Sequence, residues 1–497
     1  MNKDVRFIDT TFRDGSQSLW ASGLRAGMME LVAEKMGQAG FAVVEVPANA
    51  IYFKKMVRDL KEDPWEVCRM VARTMPDTVK ACMAGANINI LGAPSPKAIV
   101  KLFFERLAAS GALQRAQMTA NTFGQMQNDF PWILPVFREL GLQIVPALSY
   151  TISPRHTDEY YAQKTRELLK LKPHAIYLKD QGGLLTPDRV RTLMPAILNN
   201  AGGVPVELHS HCTTGLADLV YLEALQLGVR TLHTGVPPLA SGSAQPSVFS
   251  VASNARHLGY NPVFDEPLVR RASARLVDIA RKEKLPIGAP VEYDYAQYVH
   301  QVPGGVISNL KHQLAEMRLL HRLDEVLEET VHVRQELGYP IMITPHSQFM
   351  ATQAAINVAV GERWKVVIDE LILFAYGTYG EDSGYTWMDQ NLKDRILSLP
   401  RAKDLAHRST PPDISLQEIR ASLGGPGVSD EELLLRYIMK GEQEIEAMRA
   451  AGPYRRYDST SMPLNALLGE LGKHRKVRYI QVRKGANSIV VGKQAMH

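Results

Sequence analysis

Two histidines one residue apart, His209-Ser-His211, end an apolar run that reads as a β-strand. Residues i and i+2 of a strand face the same side, so both imidazoles point one way. With a carboxylate from another strand, such a pair makes a divalent-metal set that leaves coordination positions open. The candidate carboxylate is Asp14, just past an N-terminal strand in Phe7-Ile-Asp-Thr-Thr-Phe-Arg-Asp-Gly-Ser-Gln-Ser18, with Asp9 at the strand's end. The competing reading of the pair is two buried, hydrogen-bonded histidines. Lys179-Asp180 ends a further strand-like run. A free ammonium beside a cation is repelled by it, so three states of Lys179 stay open. It could be salt-bridged to Asp180, a desolvated neutral amine, or a carboxylated lysine whose anionic oxygen is a ligand. The stretch Lys179-Asp-Gln-Gly-Gly-Leu-Leu-Thr-Pro187 sets the lysine against a tight, glycine-dependent turn.

Something must bring these residues together, and the first ~260 residues have the pattern for it. Short apolar runs alternate with longer amphipathic ones. Strands are expected at 5–9, 42–46, 79–83, 113–119, 143–148, 175–179, 206–211 and 230–234. Helices are expected at 28–40, 64–75, 96–110, 132–141, 158–171, 187–198, 216–228 and 247–258. Eight strands, each followed by a helix, predict an α/β fold of the (β/α)8 TIM-barrel type rather than a doubly wound sheet. Functional groups of such barrels sit at the C-terminal strand ends, where Asp14, Lys179, His209 and His211 all fall. That placement favours the metal reading of the histidine pair.

After residue 300 the alternation stops. Gln301-Val-Pro-Gly-Gly-Val306 reads as a turn-rich junction, followed by helices at 309–319, 323–337 and 351–360. Residues 400–426, rich in Pro, Gly and Ser, read as connecting chain. Ser429-x-x-Glu432 reads as a capping box opening another helix. Two strand-like runs, 477–482 and 488–491, flank Lys484-Gly-Ala-Asn487 and suggest a hairpin. The expected division is 1–300 for the barrel, 301–470 for a mostly helical C-terminal domain, and 471–497 for a short basic tail. From Lys473 onward there are seven Lys/Arg and no acidic residue, a pattern usual for a solvated end.

The whole chain has 497 residues, 45% apolar and 22% charged, which is ordinary for a globular protein and excludes long disorder, collagen and coiled coil. Its net charge, 57 − 52 = +5, is too slight to imply nucleic-acid binding. No run approaches the ~18 apolar residues of a membrane span, and no apolar signal region opens the chain. Cys68, Cys82 and Cys212 form no CxxC spacing and no disulfide framework. The expectation is a reduced, cytoplasmic, soluble protein.

Several of these stretches, in order, resemble one family. Asp9-Thr-Thr-Phe-Arg-Asp-Gly-Ser-Gln-Ser18, Glu62-Asp-Pro-Trp-Glu66, Tyr150-Thr-Ile-Ser-Pro154, Leu178-Lys-Asp-Gln-Gly-Gly-Leu-Leu-Thr-Pro187 and His209-Ser-His-Cys-Thr-Thr-Gly215 lie in the barrel. Val302-Pro-Gly-Gly305 with Ser308-Asn309, and Ile343-Thr-Pro-His-Ser-Gln348, lie beyond it. Together they resemble the carboxyltransferase domain of biotin-dependent carboxylases, shared by pyruvate carboxylase, the oxaloacetate decarboxylase α subunit and the pyruvate-side subunit of transcarboxylase. The resemblance implies that Asp14, His209 and His211 bind a divalent metal (Zn, Mn or Co), with Lys179 carboxylated as a further ligand. It implies that Gln17 contacts the substrate's carbonyl side and that Thr344 shuttles a proton between substrate and biotin. In the implied reaction, carboxybiotin releases CO2 in a closed pocket, and the substrate's enolate, held by cationic and donor groups, captures it. From the residues alone, Thr344-Pro345 is equally a strand terminator.

The substrate-facing loops depart from the family. An Arg-Gly-x-Asn after the third strand is here Ala84-Gly-Ala-Asn87, so the arginine that clamps the substrate carboxylate is gone. Arg-Val-Phe-Asp after the fourth becomes Ala116-Gln-Met-Thr119, and an aromatic-rich segment after the second becomes Val46-Pro-Ala-Asn-Ala50. Losing a bidentate guanidinium removes ~2–3 kcal/mol, about a hundredfold in binding. Ala84 and Thr119 are therefore expected in a less polar pocket, with a small carbonyl acceptor of the 2-oxo acid class other than typical pyruvate. The chain shows no Met-Lys-Met biotin-attachment motif and no ATP-grasp-like region. The expectation is a stand-alone subunit, a homodimer, with a separate biotin carrier protein and, for ATP-driven carboxylation, a biotin carboxylase subunit. Two other readings compete: a biotin-independent metal-dependent aldolase or lyase on the same barrel, and a structural subunit whose substrate site has decayed.

Overall fold

The computed structural model describes residues 3–88, 94–120, 122–406, 413–457, 471, 479–484 and 487–492. Eight parallel strands run in chain order: β1 Asp4–Asp9, β2 Val43–Glu45, β3 Lys80–Ala84, β4 Arg115–Thr119, β5 Gln143–Ser149, β6 Ile176–Asp180, β7 Val206–Ser210 and β8 Thr231–Thr234. Each pairs with the next, and β1 pairs with both β8 and β2, which closes the sheet into a barrel. The expected (β/α)8 class is the observed one. A two-residue strand, β9 (Asn261–Pro262), extends the sheet beside the start of β1.

The helices between strands form where capping and periodicity coincide. Thr186 accepts the Arg189 N–H, and Pro187 opens the helix Pro187–Leu198, where its missing donor is no loss. Glu62 of the Glu-Asp-Pro-Trp motif is structural: its Oε2 takes the Ala26 N–H at 2.9 Å, at the start of the helix Ala26–Gln38. One long helix, Glu266–Glu283, lies outside the expected eight. It carries the helical signal in Val269, Ala272, Leu276 and Ile279, all buried against the barrel.

Beyond the barrel, Val302, Leu310, Val333, Phe349, Leu371 and Ile396 belong to a second core. The chain then returns: Leu433, Leu434 and Ile445 join the barrel's core, and the Trp65 indole donates to the Glu431 carbonyl at 3.2 Å. The stretch expected to be connecting chain holds two helices, Pro400–Leu405 and Leu416–Ser422. Proline suits the first turn of the former, so Pro400 marks a helix start rather than a loop. Residues 407–412 lie outside the described residues.

The reciprocal capping box is also elsewhere than expected. It forms between Ser415 and Glu418, at 2.8 and 3.2 Å. Ser429 accepts the Glu432 N–H at 3.2 Å, but the Glu432 carboxylate instead takes Arg436 at 2.7 Å and Arg449. Charge-assisted bonds to two guanidinium groups outcompete one backbone N–H. The expected hairpin is present as β10 Tyr479–Lys484 and β11 Asn487–Gly492, with its turn, 485–486, outside the described residues. Among the described residues no helix is long and apolar enough to cross a membrane.

Candidate active site

Asp14 ends up at the barrel's C-terminal mouth because β1 is followed at once by a tight helical turn, Thr11–Gly15. His209 lies on β7 and His211 one residue past it. These three side chains converge. Oδ2 of Asp14 is 3.1 Å from Nε2 of His209 and 3.7 Å from Nε2 of His211, and the two Nε2 atoms are 3.3 Å apart. All three residues are buried.

The protons on this trio follow from its neighbours. Nδ1 of His211 lies 2.6 Å from the Ser243 carbonyl oxygen, which can only accept, so Nδ1 carries the proton and Nε2 is bare. The side-chain amide nitrogen of Gln245 lies 3.1 and 3.0 Å from the Nε2 atoms of His209 and His211, while its Oε1 accepts from the Thr10 hydroxyl at 2.7 Å. Its N–H groups thus aim at imidazole lone pairs. Oδ2 of Asp14 receives no hydrogen bond among the described residues, although the Arg13 guanidinium passes 3.2 Å away. A buried, orphaned carboxylate oxygen facing two bare imidazole nitrogens is a donor set that fits a divalent cation.

Charge and burial prepare the set. Burial pushes the Asp14 carboxyl up, but the Arg13 guanidinium and the two imidazoles together more than offset this and hold it well below the usual range. Burial lowers His209 to about 3, so its ring is neutral and free to ligate. Arg13 is itself fixed on Glu45, with Nε 2.8 Å and Nη2 2.5 Å from Oε2.

Lys179, at the end of β6, lies opposite His209 of β7 in register. It is buried, its Nζ is 3.8 Å from the Met83 sulfur, and it forms no ion pair among the described residues. The Lys179–Asp180 salt bridge, one of the three states left open, is absent for a simple reason. Adjacent strand residues point to opposite faces, and Asp180 accepts from the Leu184 and Leu185 N–H groups and the Ser210 hydroxyl, each at 2.8 Å. Burial first, and Arg13 second, lower the Lys179 pKa. The turn behind it does need glycine: Gly183 has φ +63°, and a Cβ there would sit 2.2 Å from the Thr213 hydroxyl and 2.5 Å from the His211 carbonyl.

The helical region meets the mouth through polar ties. The Gln181 amide, two residues past Lys179, donates to the Tyr150 carbonyl at 3.1 Å and to the Met342 carbonyl at 3.0 Å. Met342 is two residues before Thr344, which is half-buried. Gln301 and Arg334 both bond Thr151 and Ile152 beyond β5. Gly304 of the Pro-Gly-Gly motif packs so closely on Ser243 that a Cβ would lie 3.1 Å from the serine's own. The same serine holds His211.

The remaining expected residues are spread out. Ala84 ends β3, buried, opposite Met118. Thr119 ends β4 and is partly exposed, and Gln17 is exposed in the short helix Ser16–Trp20, whose buried residues are Ser16 and Trp20. Neither joins the buried trio. Sequence reasoning missed Gln245 and a set of buried ionisable side chains near the trio: Glu45 on β2, Arg115 on β4, Glu207 on β7 and His233 on β8. Arg115 is bonded to Glu207 at 2.5 Å, so it is not a spare clamp for a substrate. The available signal was ionisable residues at inward positions of otherwise apolar strands.

Barrel, histidine pair and appended helical region together define a β/α-barrel protein whose mouth carries a donor set that fits a divalent cation. A family model described as HMGL-like matches residues 4–274, and one described as the conserved carboxylase domain matches residues 298–490. A pyruvate carboxylase subunit from Methanocaldococcus jannaschii is 34% identical over 382 residues, covering 76% of this chain and 66% of that protein. The 2-oxoglutarate carboxylase large subunit of Hydrogenobacter thermophilus is 31% identical over 448 residues, covering 87% of this chain and 66% of that protein. The chain thus spans about two thirds of the length of these relatives. The carboxyl transferase domain of Rhizobium etli pyruvate carboxylase shares the fold, with a TM-score of 0.78 over 99% of this chain and 84% of that chain at 23% identity. The chain belongs to the carboxyltransferase family of biotin-dependent carboxylases.

Proposed function

We propose that the chain moves a carboxyl group between carboxybiotin, carried on a separate protein, and a small 2-oxo acid. The observation that carries this reading is the buried trio of acceptor atoms on Asp14, His209 and His211, with the Lys179 amine beside it. A divalent cation bound there (zinc, manganese or cobalt) supplies Lewis acidity toward the acceptor's carbonyl oxygen. Lys179 is the further ligand once carboxylated. An amine must be neutral to add to CO2, and burial with Arg13 favours the neutral form. Addition of CO2 to the neutral amine, with loss of one of its protons, would place an anionic oxygen there.

In this reading Thr344 relays a proton between the acceptor's α-carbon and the biotin ring nitrogen. A threonine hydroxyl is too weak an acid to work alone but serves in a concerted transfer. The tie from Gln181 to Met342 supports a fixed position for it. Gln17 is assigned to the acceptor's carbonyl side, and Ala84 and Thr119 to the pocket wall. The relatives named for pyruvate and 2-oxoglutarate support a 2-oxo acid. Ala84 offers no charge and Arg115 is committed to Glu207, which argues against typical pyruvate. The barrel over 1–300 would supply the metal set and 301–470 the relay, with 471–497 as a basic tail.

The partners in this reading are a biotin carboxyl carrier protein, a biotin carboxylase where ATP drives the reaction, and a second copy of the chain. Three unpaired cysteines accord with a cytoplasmic setting. The test is two-part: avidin detection of a biotinylated protein co-purifying from native extract, and transfer assays with a carboxylated carrier and graded 2-oxo acids. Biotin-dependent turnover is expected. Cleavage of a 2-oxo acid without biotin, or no transfer to any of them, overturns the reading.

A further inference from the structure

We propose that Asp382 is a positioning residue for carboxyl transfer: it clasps the helical region onto the barrel so that Thr344 is held in place for its proton relay. The inference rests on the relay reading above and adds a residue to it. Asp382 lies in the short turn Glu381–Ser383 of the helical region. Its Oδ1 accepts the Phe123 N–H at 2.7 Å. Phe123 opens the helix Phe123–Asn128 just past β4, where the first N–H groups have no partner within the helix. The Asp382 backbone carbonyl accepts from Nη2 of Arg155, in the loop beyond β5, at 2.9 Å. One residue thus ties down two barrel loops.

The clasp is tight around that residue. The Thr122 hydroxyl donates to the Tyr379 carbonyl at 2.9 Å. Gly380 has φ +90°, and a Cβ there would lie 2.8 Å from the Gly124 Cα, so this approach of two backbones needs glycine. Nη1 of Arg155 donates to the Gly338 carbonyl at 2.8 Å, a second tie to the helical region. Oδ2 of Asp382 lies 3.4 Å from the Tyr160 hydroxyl, which accepts from Lys164 at 3.2 Å.

The same stretch of chain brings Tyr379 against the relay segment. Its ring meets that of His346 edge-on, with centroids 5.3 Å apart. His346 is two residues after Thr344, just as Met342, which Gln181 holds, is two residues before it. Thr344 is therefore braced from both sides: through Gln181 by the loop after β6, and through Tyr379 and Asp382 by the loops after β4 and β5. A relay needs its hydroxyl within hydrogen-bond reach of both partners, and a misplacement of ~1 Å costs about a hundredfold in rate. Thr119 has its own support, because strand pairing holds it opposite Ala147 of β5. Loss of the clasp is thus felt at the relay before it is felt at the pocket wall.

A clasp that only stabilised the contact between the two regions would lower stability and slow transfer by the same factor with or without the Thr344 hydroxyl. A positioning clasp acts through that hydroxyl, so removing it matters only while the hydroxyl is there. Residues that act as one unit show this as non-additivity in a double-mutant cycle.

The test uses the whole chain, with transfer from a carboxylated carrier to pyruvate and to 2-oxoglutarate, in the parent and in the Thr344→Ala background. Asp382→Ala should lower kcat about 10–100-fold, with KM and metal content within about threefold of the parent. Asp382→Asn keeps an oxygen that accepts the Phe123 N–H, and should recover most of the loss. In the Thr344→Ala chain, Asp382→Ala should change the residual rate by less than about twofold. An equal fold-loss in both backgrounds, or Asp382→Ala within about twofold of the parent, would overturn the inference while leaving the relay reading intact. A parent that transfers to neither acid, or Thr344→Ala as fast as the parent, overturns the relay reading and this inference with it. Should Asp382→Ala fail to fold, Tyr379→Leu leaves the clasp's hydrogen bonds in place and removes the ring against His346. The same comparison in two backgrounds then decides, with a loss confined to the chain that has Thr344 expected and an equal loss in both overturning the proposal.

Discussion

The His211 ring donates its Nδ1–H to the Ser243 carbonyl at 2.6 Å, and so is locked with Nε2 bare toward Asp14. Ser243 lies in the loop after β8, which Gly304 of the helical region packs against. The ligand's proton is therefore set by a segment that the helical region covers. About one divalent metal per chain is expected by elemental analysis, with His211→Ala losing most of it and the fold surviving by circular dichroism. Full activity after exhaustive chelation would refute the metal's role.

Thr344 separates carboxyl transfer from simple metal-assisted cleavage, because only the former has a biotin nitrogen to serve. Thr344→Ala should lower transfer by about 10²–10⁴-fold, with metal content and melting temperature unchanged. Thr344→Ser should retain a measurable part. Thr344 ends no strand but lies in the turn before the helix His346–Val360, so equal rates for Thr344→Ala and the parent would reduce it to a turn residue.

Gln181 bonds two buried carbonyls, of Tyr150 and Met342, across the mouth. Gln181→Leu leaves both unpaired, at about 1–3 kcal/mol each. A lower melting temperature and a reduced kcat are expected at normal metal content, since the Gln181 amide bonds run to Tyr150 and Met342 rather than to Asp14, His209 or His211. A change in metal affinity without a loss of stability would contradict this assignment.

Ala84 is the place to restore a carboxylate clamp. A charge-assisted pair is worth ~2–3 kcal/mol, so Ala84→Arg should lower KM for pyruvate by up to about a hundredfold. The new stem must cross Met118, its neighbour on β4. Pyruvate turnover by the parent at rates equal to those of its optimal acceptor would mean that another residue already clamps the carboxylate.

His346 has no hydrogen-bond partner for either ring nitrogen among the described residues, and sits among Phe349, Phe374 and Tyr379. Burial lowers it from 6.5 to about 3. A histidine depressed in the folded state binds fewer protons there than when unfolded, so stability is lost as pH falls from about 6.5 toward 3. His346→Phe should flatten that loss and stabilise the fold by roughly 1–3 kcal/mol, read by urea unfolding at pH 7.5 and 5. His209, lowered for the same reason, keeps part of the slope in the variant. An unchanged slope would show that His346 is not the titrating group.

The barrel was legible in the sequence because short apolar runs, buried on both faces as in β6 and β7, alternate with helices whose burial repeats every three to four residues. Each of the eight strands lies where the alternation put it, and Asp14, His209 and His211 follow from their positions at strand ends. Residues 400–426 were misread because Pro and Gly mark helix ends as well as loops. The proton positions were not legible at all. Which nitrogen of His211 is bare depends on Ser243, 32 residues on. Likewise Lys179 and Asp180 are neighbours in the chain yet face opposite sides, while Arg115 meets Glu207 from 92 residues away. Chain order sets the residue types and their faces, but a hydrogen-bond partner exists only once closure of the barrel brings distant strands within 3 Å or so.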